Sequence, residues 1–107
     1  MQATAIDMNE MRDKVNEAAD MLKVMAHPDR LLVLCQLTQG EVCVADLQKS
    51  SSLSQSAFSQ HLTVLRNHQL VKVRKSSQQV FYSLADPRVE ALISSFHGVF
   101  CQEEKKS

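Results

Sequence analysis

LSQSAFSQHLTVLRNHQLVKVRKSSQQVFYSL, residues 53–84, is the stretch that decides the fold. In its first half, apolar residues recur at helical spacing and give a helix one buried side: Ala57, Phe58, Leu62 and Leu65. Ser54 stands before that helix as a typical N-cap. In the second half, apolar and polar residues alternate on both sides of a polar tip at 76–78, which predicts a two-stranded hairpin. Its inward-facing residues are expected to be Val71, Val73, Tyr82 and Leu84.

Helices are also predicted on both sides of this unit. The first spans about residues 9–25, and the second runs from Pro28 to a C-cap at Gly40. The third is short, at 44–49, and the last helix begins after Asp86, its N-cap. The order α-α-α-α-β-β-α predicts a mainly helical chain with a small β-hairpin, the winged helix-turn-helix fold.

A chain of 107 residues has room for one domain with one core. We expect that domain to span 1–107, with flexible tails at 1–8 and 102–107. The apolar fraction of 44% is ordinary for a globular domain, and the charged fraction of 22% argues against disorder.

Charge is segregated along the chain, although the formal net charge is zero. No acidic residue lies between Asp46 and Asp86, and the 39 residues between them carry a charge of +5. The remainder of the chain carries −5. Because attraction to phosphate acts over a Debye length of roughly 8–10 Å, a locally basic surface matters more than the sum. This distribution indicates a nucleic-acid partner.

The polar side of the fourth helix suits the edges of base pairs. Gln, Ser, Thr and His side chains exchange hydrogen bonds with bases, and no acidic side chain is present there to repel phosphate. Basic residues of the hairpin would follow the phosphate backbone or a neighbouring minor groove, although a charged edge strand also prevents aggregation. The predicted DNA-binding residues are Ser54, Gln55, Ser56, Ser59, Gln60, His61, Thr63, Arg66, Lys72, Arg74, Lys75 and Gln78.

The first and last helices have apolar stripes wider than a small core requires. A single module of this size buries little DNA surface, so specific binding normally needs a second copy at a matching half-site. We therefore expect a homodimer on an inverted-repeat operator in duplex DNA. The predicted interface residues are Met11, Val15, Leu22, Leu92, Ile93, Phe96 and Phe100.

The start of the chain, MQATAIDMNEM, has neither the basic region nor the apolar region of a signal peptide. No stretch approaches the ~20 consecutive apolar residues that span a bilayer. We expect a cytoplasmic protein with no membrane partner, in a compartment where thiols are normally reduced.

The stretch VCVADLQKSSSLSQSAFSQHLTVLRNHQLVKVRKSSQQVFYSL, residues 42–84, resembles the ArsR/SmtB family of winged-helix repressors. The LSQSAFSQHLTVLR run and the hairpin ending in FYSL are its most specific parts. Chain length and the two flanking helices extend the likeness to residues 10–101. The resemblance implies a DNA-binding repressor with no enzymatic activity and no cofactor.

Many members of this family sense metals, and their ligand patterns are only partly present here. The CVCD-type thiolate pair corresponds to residues 43–46, where the second cysteine is replaced by alanine. The carboxylate and histidine ligands of the last helix correspond to Asp86 and His97, but Arg88 and Gln102 stand where further ligands are needed. Because coordination requires three or four converging ligands, no metal site is predicted.

Cys35 and Cys101 stand where the thiol- and persulfide-sensing branch of the family has its cysteine pair. The resemblance implies that reactive sulfur species or peroxide link the two sulfurs and shift the dimer away from its DNA-binding geometry. On its own, Cys35 in a leucine-rich helix is equally consistent with a small core residue. Cys43, at a helix N-terminus, is a bystander, a competing target or a resolving thiol.

Three other functions stay open. A metal-responsive repressor would use Cys43, Asp46 or His97. A thiol oxidoreductase would use Cys35, although the chain has no C-x-x-C motif. A protein-interaction module would keep the fold without binding DNA, and the polar helix face and acid-free basic stretch argue against it.

Two positions depart from what the predicted elements favour. Gln69 stands where many family members have glycine, and left-handed backbone there would cost a non-glycine residue about 1 kcal/mol. A different form of turn is therefore expected at this point. Gly98 lies inside the last helix and is expected to weaken it by roughly 0.5–1 kcal/mol relative to alanine.

Overall fold

The computed structural model describes residues 7–101. Five helices and three strands follow the predicted order, with one strand added near the middle of the chain. The helices are α1 (Met8–Met25), α2 (Pro28–Gln36), α3 (Val44–Lys49), α4 (Gln55–Asn67) and α5 (Pro87–Phe100). The strands are β1 (Val42–Cys43), β2 (Val71–Ser76) and β3 (Gln79–Leu84). Within residues 7–101, no helix is long and apolar enough to cross a membrane.

The added strand is β1, which turns the predicted two-stranded hairpin into a three-stranded antiparallel sheet. Val42 lies opposite Tyr82 and Cys43 lies opposite Phe81, so the strand order is β1-β3-β2 and β3 is central. A strand of two residues is too short to show an alternating pattern. Its pairing depends on a hairpin that is distant in sequence, which is why the pattern did not predict it.

Side-chain caps determine where α1 and α4 begin. The Asp7 carboxylate accepts a hydrogen bond from the Asn9 amide at 2.9 Å, so α1 starts inside the tail predicted at 1–8. That part of the tail prediction is wrong, and the rest of both predicted tails lies outside the described residues. The Ser54 hydroxyl accepts from the Ala57 amide at 3.1 Å, which confirms Ser54 as the cap of α4.

The second helix is shorter than predicted. It ends at Gln36, and a 3₁₀ turn over Leu37–Gln39 continues the chain to Gly40. Gly40 has a φ of 127°, a conformation that favours glycine, and it ends the turn as predicted.

The core lies between α2, α4, α5 and the sheet. Leu34, Leu47 and Leu65 have no exposed surface, and Tyr82 of the central strand is also buried. Ile93 is 0% exposed and belongs to this core, so its predicted place in a dimer interface is wrong. The other predicted inward-facing hairpin residues are confirmed as buried or packed against the core: Val71, Val73 and Leu84.

The turn between α4 and β2 is left-handed at Gln69, which has a φ of 65°. The Gln69 amide donates to the Arg66 carbonyl at 2.9 Å, and the Leu70 amide donates to the Leu65 carbonyl at 3.0 Å. This pair of bonds is the Schellman motif that commonly ends helices. The different turn expected from the missing glycine is therefore wrong. The motif forms with glutamine because buried Leu70 holds the chain on the core.

Candidate nucleic-acid interface and thiol pair

The helix α4 is held by one apolar side and presents the other side to solvent. Phe58, Leu62 and Leu65 are buried, as the sequence pattern predicted. Ser54 uses its hydroxyl to cap the helix, and it is itself exposed. Six further predicted DNA-binding residues of α4 are also exposed: Gln55, Ser56, Ser59, Gln60, Thr63 and Arg66.

His61 differs from its neighbours on α4 because it is half-buried against α2. Its ring lies 4.2 Å from the ring of His27, measured between centroids. Burial, followed by the positive charges of His27 and Arg30, lowers the pKa of His61, while Asp29 acts in the opposite direction. The neutral imidazole is therefore favoured at the border between the polar face and α2.

The wing is formed by β2 and β3, and its predicted DNA-binding residues Lys72, Lys75 and Gln78 are exposed. Arg74 is exposed but already has an anionic partner. Its Nε and Nη2 donate to the two carboxylate oxygens of Glu41, each at 2.8 Å.

The bidentate pair is stabilised further by its surroundings. The Arg74 guanidinium lies 4.7 Å from the centroid of the Phe81 ring, within cation–π range. Hydrogen bonding from Arg74 lowers the pKa of Glu41, and the charge of Lys72 acts in the same direction. Sequence reasoning missed Glu41, because only the fold brings an acid from before β1 to the basic wing.

Cys35 and Cys101 are both free and half-buried. Cys35 lies near the end of α2, and Cys101 caps the C-terminal end of α5. Burial raises the pKa of the Cys35 thiol, and the negative charge of a Cys101 thiolate raises it further. Cys35 therefore favours its protonated form.

The third thiol, Cys43, lies at the end of β1 and the start of α3. Its Sγ donates to Asp46 Oδ2 at 3.5 Å, and Asp46 also forms an ion pair with Lys49 at 3.4 Å. His97 lies on α5 with its ring 5.4 Å from that of Phe96. In residues 7–101, the one group of three potential metal ligands that lie close together is found elsewhere, so the chain does not bring Cys43, Asp46 and His97 together.

An apolar surface covers the outer faces of α1 and α5. Leu22 and Leu92 line two surface cavities, of about 390 and about 410 Å³. Phe100, which is 72% exposed, lines the first of these cavities. Of the predicted interface residues, Val15, Leu22, Leu92 and Phe100 are exposed, while Met11 and Phe96 are half-buried.

Sequence comparison identifies the family. Residues 27–73 match the family described as bacterial regulatory protein, arsR family. The transcriptional activator HlyU of Vibrio cholerae is 40% identical over 102 residues, which cover 95% of this chain and 94% of HlyU. The biofilm growth-associated repressor of Xylella fastidiosa is 35% identical over 98 residues, covering 92% and 86%. The chain belongs to the ArsR family.

Solved structures agree with this assignment. Reduced HlyU from Vibrio cholerae has a TM-score of 0.82 at 44% identity and covers 87% of this chain and 98% of its own. The repressor BigR from Xylella fastidiosa has a TM-score of 0.81 at 33% identity, covering 90% and 98%. The winged helix-turn-helix prediction is confirmed. This ArsR-family protein is a DNA-binding transcriptional regulator and not an enzyme, which excludes the thiol oxidoreductase.

Proposed function

We propose that this ArsR-family regulator represses transcription as a homodimer on an inverted-repeat operator and releases DNA when Cys35 and Cys101 are oxidised or persulfidated. The observation that supports the switch most directly is that these two free, half-buried thiols lie on α2 and at the end of α5, two helices that pack against each other. The proposal places the protein in the bacterial cytoplasm, where the operator lies.

The DNA surface in this proposal combines α4 with the wing. The exposed Gln, Ser and Thr side chains of α4 contact base edges in the major groove, where glutamine pairs well with adenine. Lys72 and Lys75 contact phosphates, which increases affinity more than specificity. Arg74 contributes less than its charge implies, because Glu41 already neutralises it.

The second copy docks on the outer faces of α1 and α5. Support comes from the large apolar side chains exposed there, among them Leu22 at 48% and Phe100 at 72%. Covering such side chains releases about 25 cal/mol per Å² of apolar surface removed from water. Two-fold pairing through these helices would present two copies of α4 to successive half-sites.

The proposed switch connects the DNA-binding helix α4 to the outer faces of α1 and α5, where the second copy docks. Cys35 belongs to α2, which packs against α4 in the core, and Cys101 ends α5. With peroxide, the two thiols lose two protons and two electrons, forming a disulfide and two molecules of water. With a persulfide RSSH, one cysteine thiolate takes the outer sulfur and releases RS⁻. The second thiolate then attacks the cysteine-bound sulfur of the new persulfide, forming the disulfide and releasing HS⁻.

The free energy needed to shift the protein from its DNA-binding to its DNA-releasing conformation is within the range that covalent bond formation supplies. Moving a two-state balance from 1:99 to 99:1 takes about 5.5 kcal/mol. A disulfide holds its two Cα atoms at about 4.4–6.8 Å, so closing it constrains the end of α5 relative to α2. That constraint changes the position of α4 relative to the proposed dimer interface on α1 and α5.

Mobility-shift assays on the promoter of the protein's own gene test this proposal. The protein is assayed reduced, with glutathione persulfide, with peroxide and with zinc. We expect both oxidants to abolish the shift of the wild type, and Cys35→Ser and Cys101→Ser to keep it. Cys43→Ser is the matched control and should respond like the wild type. Unchanged binding under both oxidants, or loss with zinc alone, would overturn the switch.

A further inference from the structure

His27, Asp29 and His61 form a cluster that the proposed regulation by cysteines does not use. Each offers one ligand atom, and these atoms all lie within 4.8 Å of one another. His27 is the N-cap of α2, Asp29 lies in its first turn, and His61 comes from the middle of α4. All three are half-buried, so the cluster is sheltered but open to ions from solvent.

The donor set suits a transition metal. Two imidazoles and one carboxylate, completed by water, match the open tetrahedral sites in which proteins hold Zn²⁺. Imidazole nitrogen also binds Co²⁺ and Ni²⁺, whereas Mg²⁺ and Ca²⁺ prefer oxygen donors. We propose that His27, Asp29 and His61 bind a divalent transition-metal ion, independently of the cysteine switch.

Binding requires local rearrangement at His27. Its Nδ1 accepts the Asp29 amide hydrogen at 3.1 Å and lies 3.7 Å from Asp29 Oδ2. In a metal-bound neutral imidazole, one nitrogen binds the ion and the other bears the proton. His27 therefore exchanges this cap hydrogen bond for a metal–nitrogen bond. Metal–nitrogen distances of about 2.0–2.1 Å also require the three side chains to draw together.

The charges around the cluster set its affinity. The positive charge of Arg30 acts on His61 and opposes a cation, while the charge of Asp29 favours one. The neutral form of His61 is the form that acts as a ligand. Occupancy would connect the start of α2 to α4 and would withdraw His61 from the DNA-facing surface.

Titration of the reduced full-length protein with Co²⁺ tests the site, because tetrahedral Co²⁺ has visible d–d absorption. We expect saturable absorption at one equivalent per chain, without a thiolate-to-cobalt charge-transfer band. Zn²⁺ should displace the Co²⁺ and bleach the absorption. Absence of d–d absorption, or a signal that disappears on replacing all three cysteines by serine, would overturn the proposal.

The ligand variants are chosen to preserve the fold. His27→Asn keeps a side-chain acceptor at the cap of α2 and removes the imidazole, and His61→Gln keeps a polar side chain on α4. Each should weaken Co²⁺ binding at least tenfold, since even loss of a second-shell partner typically costs about 10–100-fold. His68→Gln, at an exposed histidine outside the cluster, is the matched control and should bind normally. Wild-type affinity in both ligand variants, with circular dichroism unchanged, would also overturn the proposal.

Discussion

Arg74 and Glu41 form two 2.8 Å hydrogen bonds that connect the wing to the residue before β1. The same guanidinium lies over the Phe81 ring. Arg74, a cation of the predicted DNA surface, is therefore held in place, and Glu41 largely neutralises its charge in the absence of DNA.

Releasing this cation should strengthen DNA binding. In Glu41→Gln, Arg74 gains the freedom to contact a phosphate, and the surface gains one unit of positive charge. One additional phosphate contact steepens the slope of log K against log salt by about 0.9. Fluorescence anisotropy of a labelled operator at several salt concentrations measures this slope.

The arginine variant provides the control for that experiment. Arg74→Gln should weaken DNA binding, because it leaves the Glu41 carboxylate unpaired on the basic surface, and the double variant should return to about the wild-type affinity. Affinity of the double variant as high as that of Glu41→Gln would show that the gain does not come from releasing Arg74.

Gln69→Gly should stabilise the protein by about 1 kcal/mol, because glycine adopts the left-handed backbone without the steric cost that glutamine bears. Urea unfolding measures the difference. Gln48→Gly is the matched control, since Gln48 lies inside α3 and glycine there should cost roughly 0.5–1 kcal/mol. Equal losses in the two variants would contradict the strain at Gln69.

The wing and α4 could be predicted because the sequence signals that specify them lie within these elements themselves. Helical spacing, a Ser54 cap and strict alternation determine them within a few residues of each position. The geometry at Gln69 was predicted wrongly because tertiary packing of Leu70 overrides local backbone preference. Ile93 was misplaced because a helix with a wide apolar stripe does not reveal which part of it faces its own core.

Cys35 should react slowly with iodoacetamide near neutral pH, because its raised pKa keeps the thiol protonated. Its rate should increase with pH through a midpoint above that of free cysteine. In Cys101→Ser this midpoint should fall, while burial still holds it above the free value. Mass spectrometry of alkylated peptides across a pH series measures both midpoints.

The same pKa shift has a consequence for stability. The folded pKa of Cys35 lies above its unfolded value, so the associated stabilisation is complete below the unfolded pKa and is lost as pH rises through the folded pKa.

The alkylation experiment also has an outcome that would contradict the prediction. An identical alkylation midpoint in the wild type and Cys101→Ser would show that the two sulfurs do not interact.

Gly98→Ala should stabilise α5 by roughly 0.5–1 kcal/mol, since no atom lies within 4 Å of the Cβ that alanine would add. Thermal unfolding followed by circular dichroism measures the gain at a fixed protein concentration. A loss of stability together with weaker self-association would mean that another chain packs closely against Gly98.

Leu92→Glu should dissociate the proposed dimer, because it would place a carboxylate among the apolar side chains of the interface. Sedimentation velocity should show the monomer at concentrations where the wild type is dimeric. Leu32→Glu, at a leucine of 45% exposure on α2 outside the predicted interface, is the matched control. Equal effects of both variants would argue against docking through α5.

The contacts that sequence reasoning missed are those between residues far apart in the chain. Glu41 reaches Arg74 across 33 positions, and His27 reaches His61 between two helices. Neither residue belongs to a recognisable spacing with its partner. Only the packing of α2 against α4, and of β1 against β3, brings them together.

Because β3 is hydrogen-bonded along both edges, the wing is braced by β1, which pairs with Phe81 and Tyr82 in the middle of β3. A braced wing does not bend easily to fit different operators. In the proposed dimer, the distance between the two DNA-contacting surfaces is then set by the angle at which the two protomers meet. An inducer that acts on the end of α5 would change that angle, and the two surfaces would no longer match the spacing of the operator half-sites.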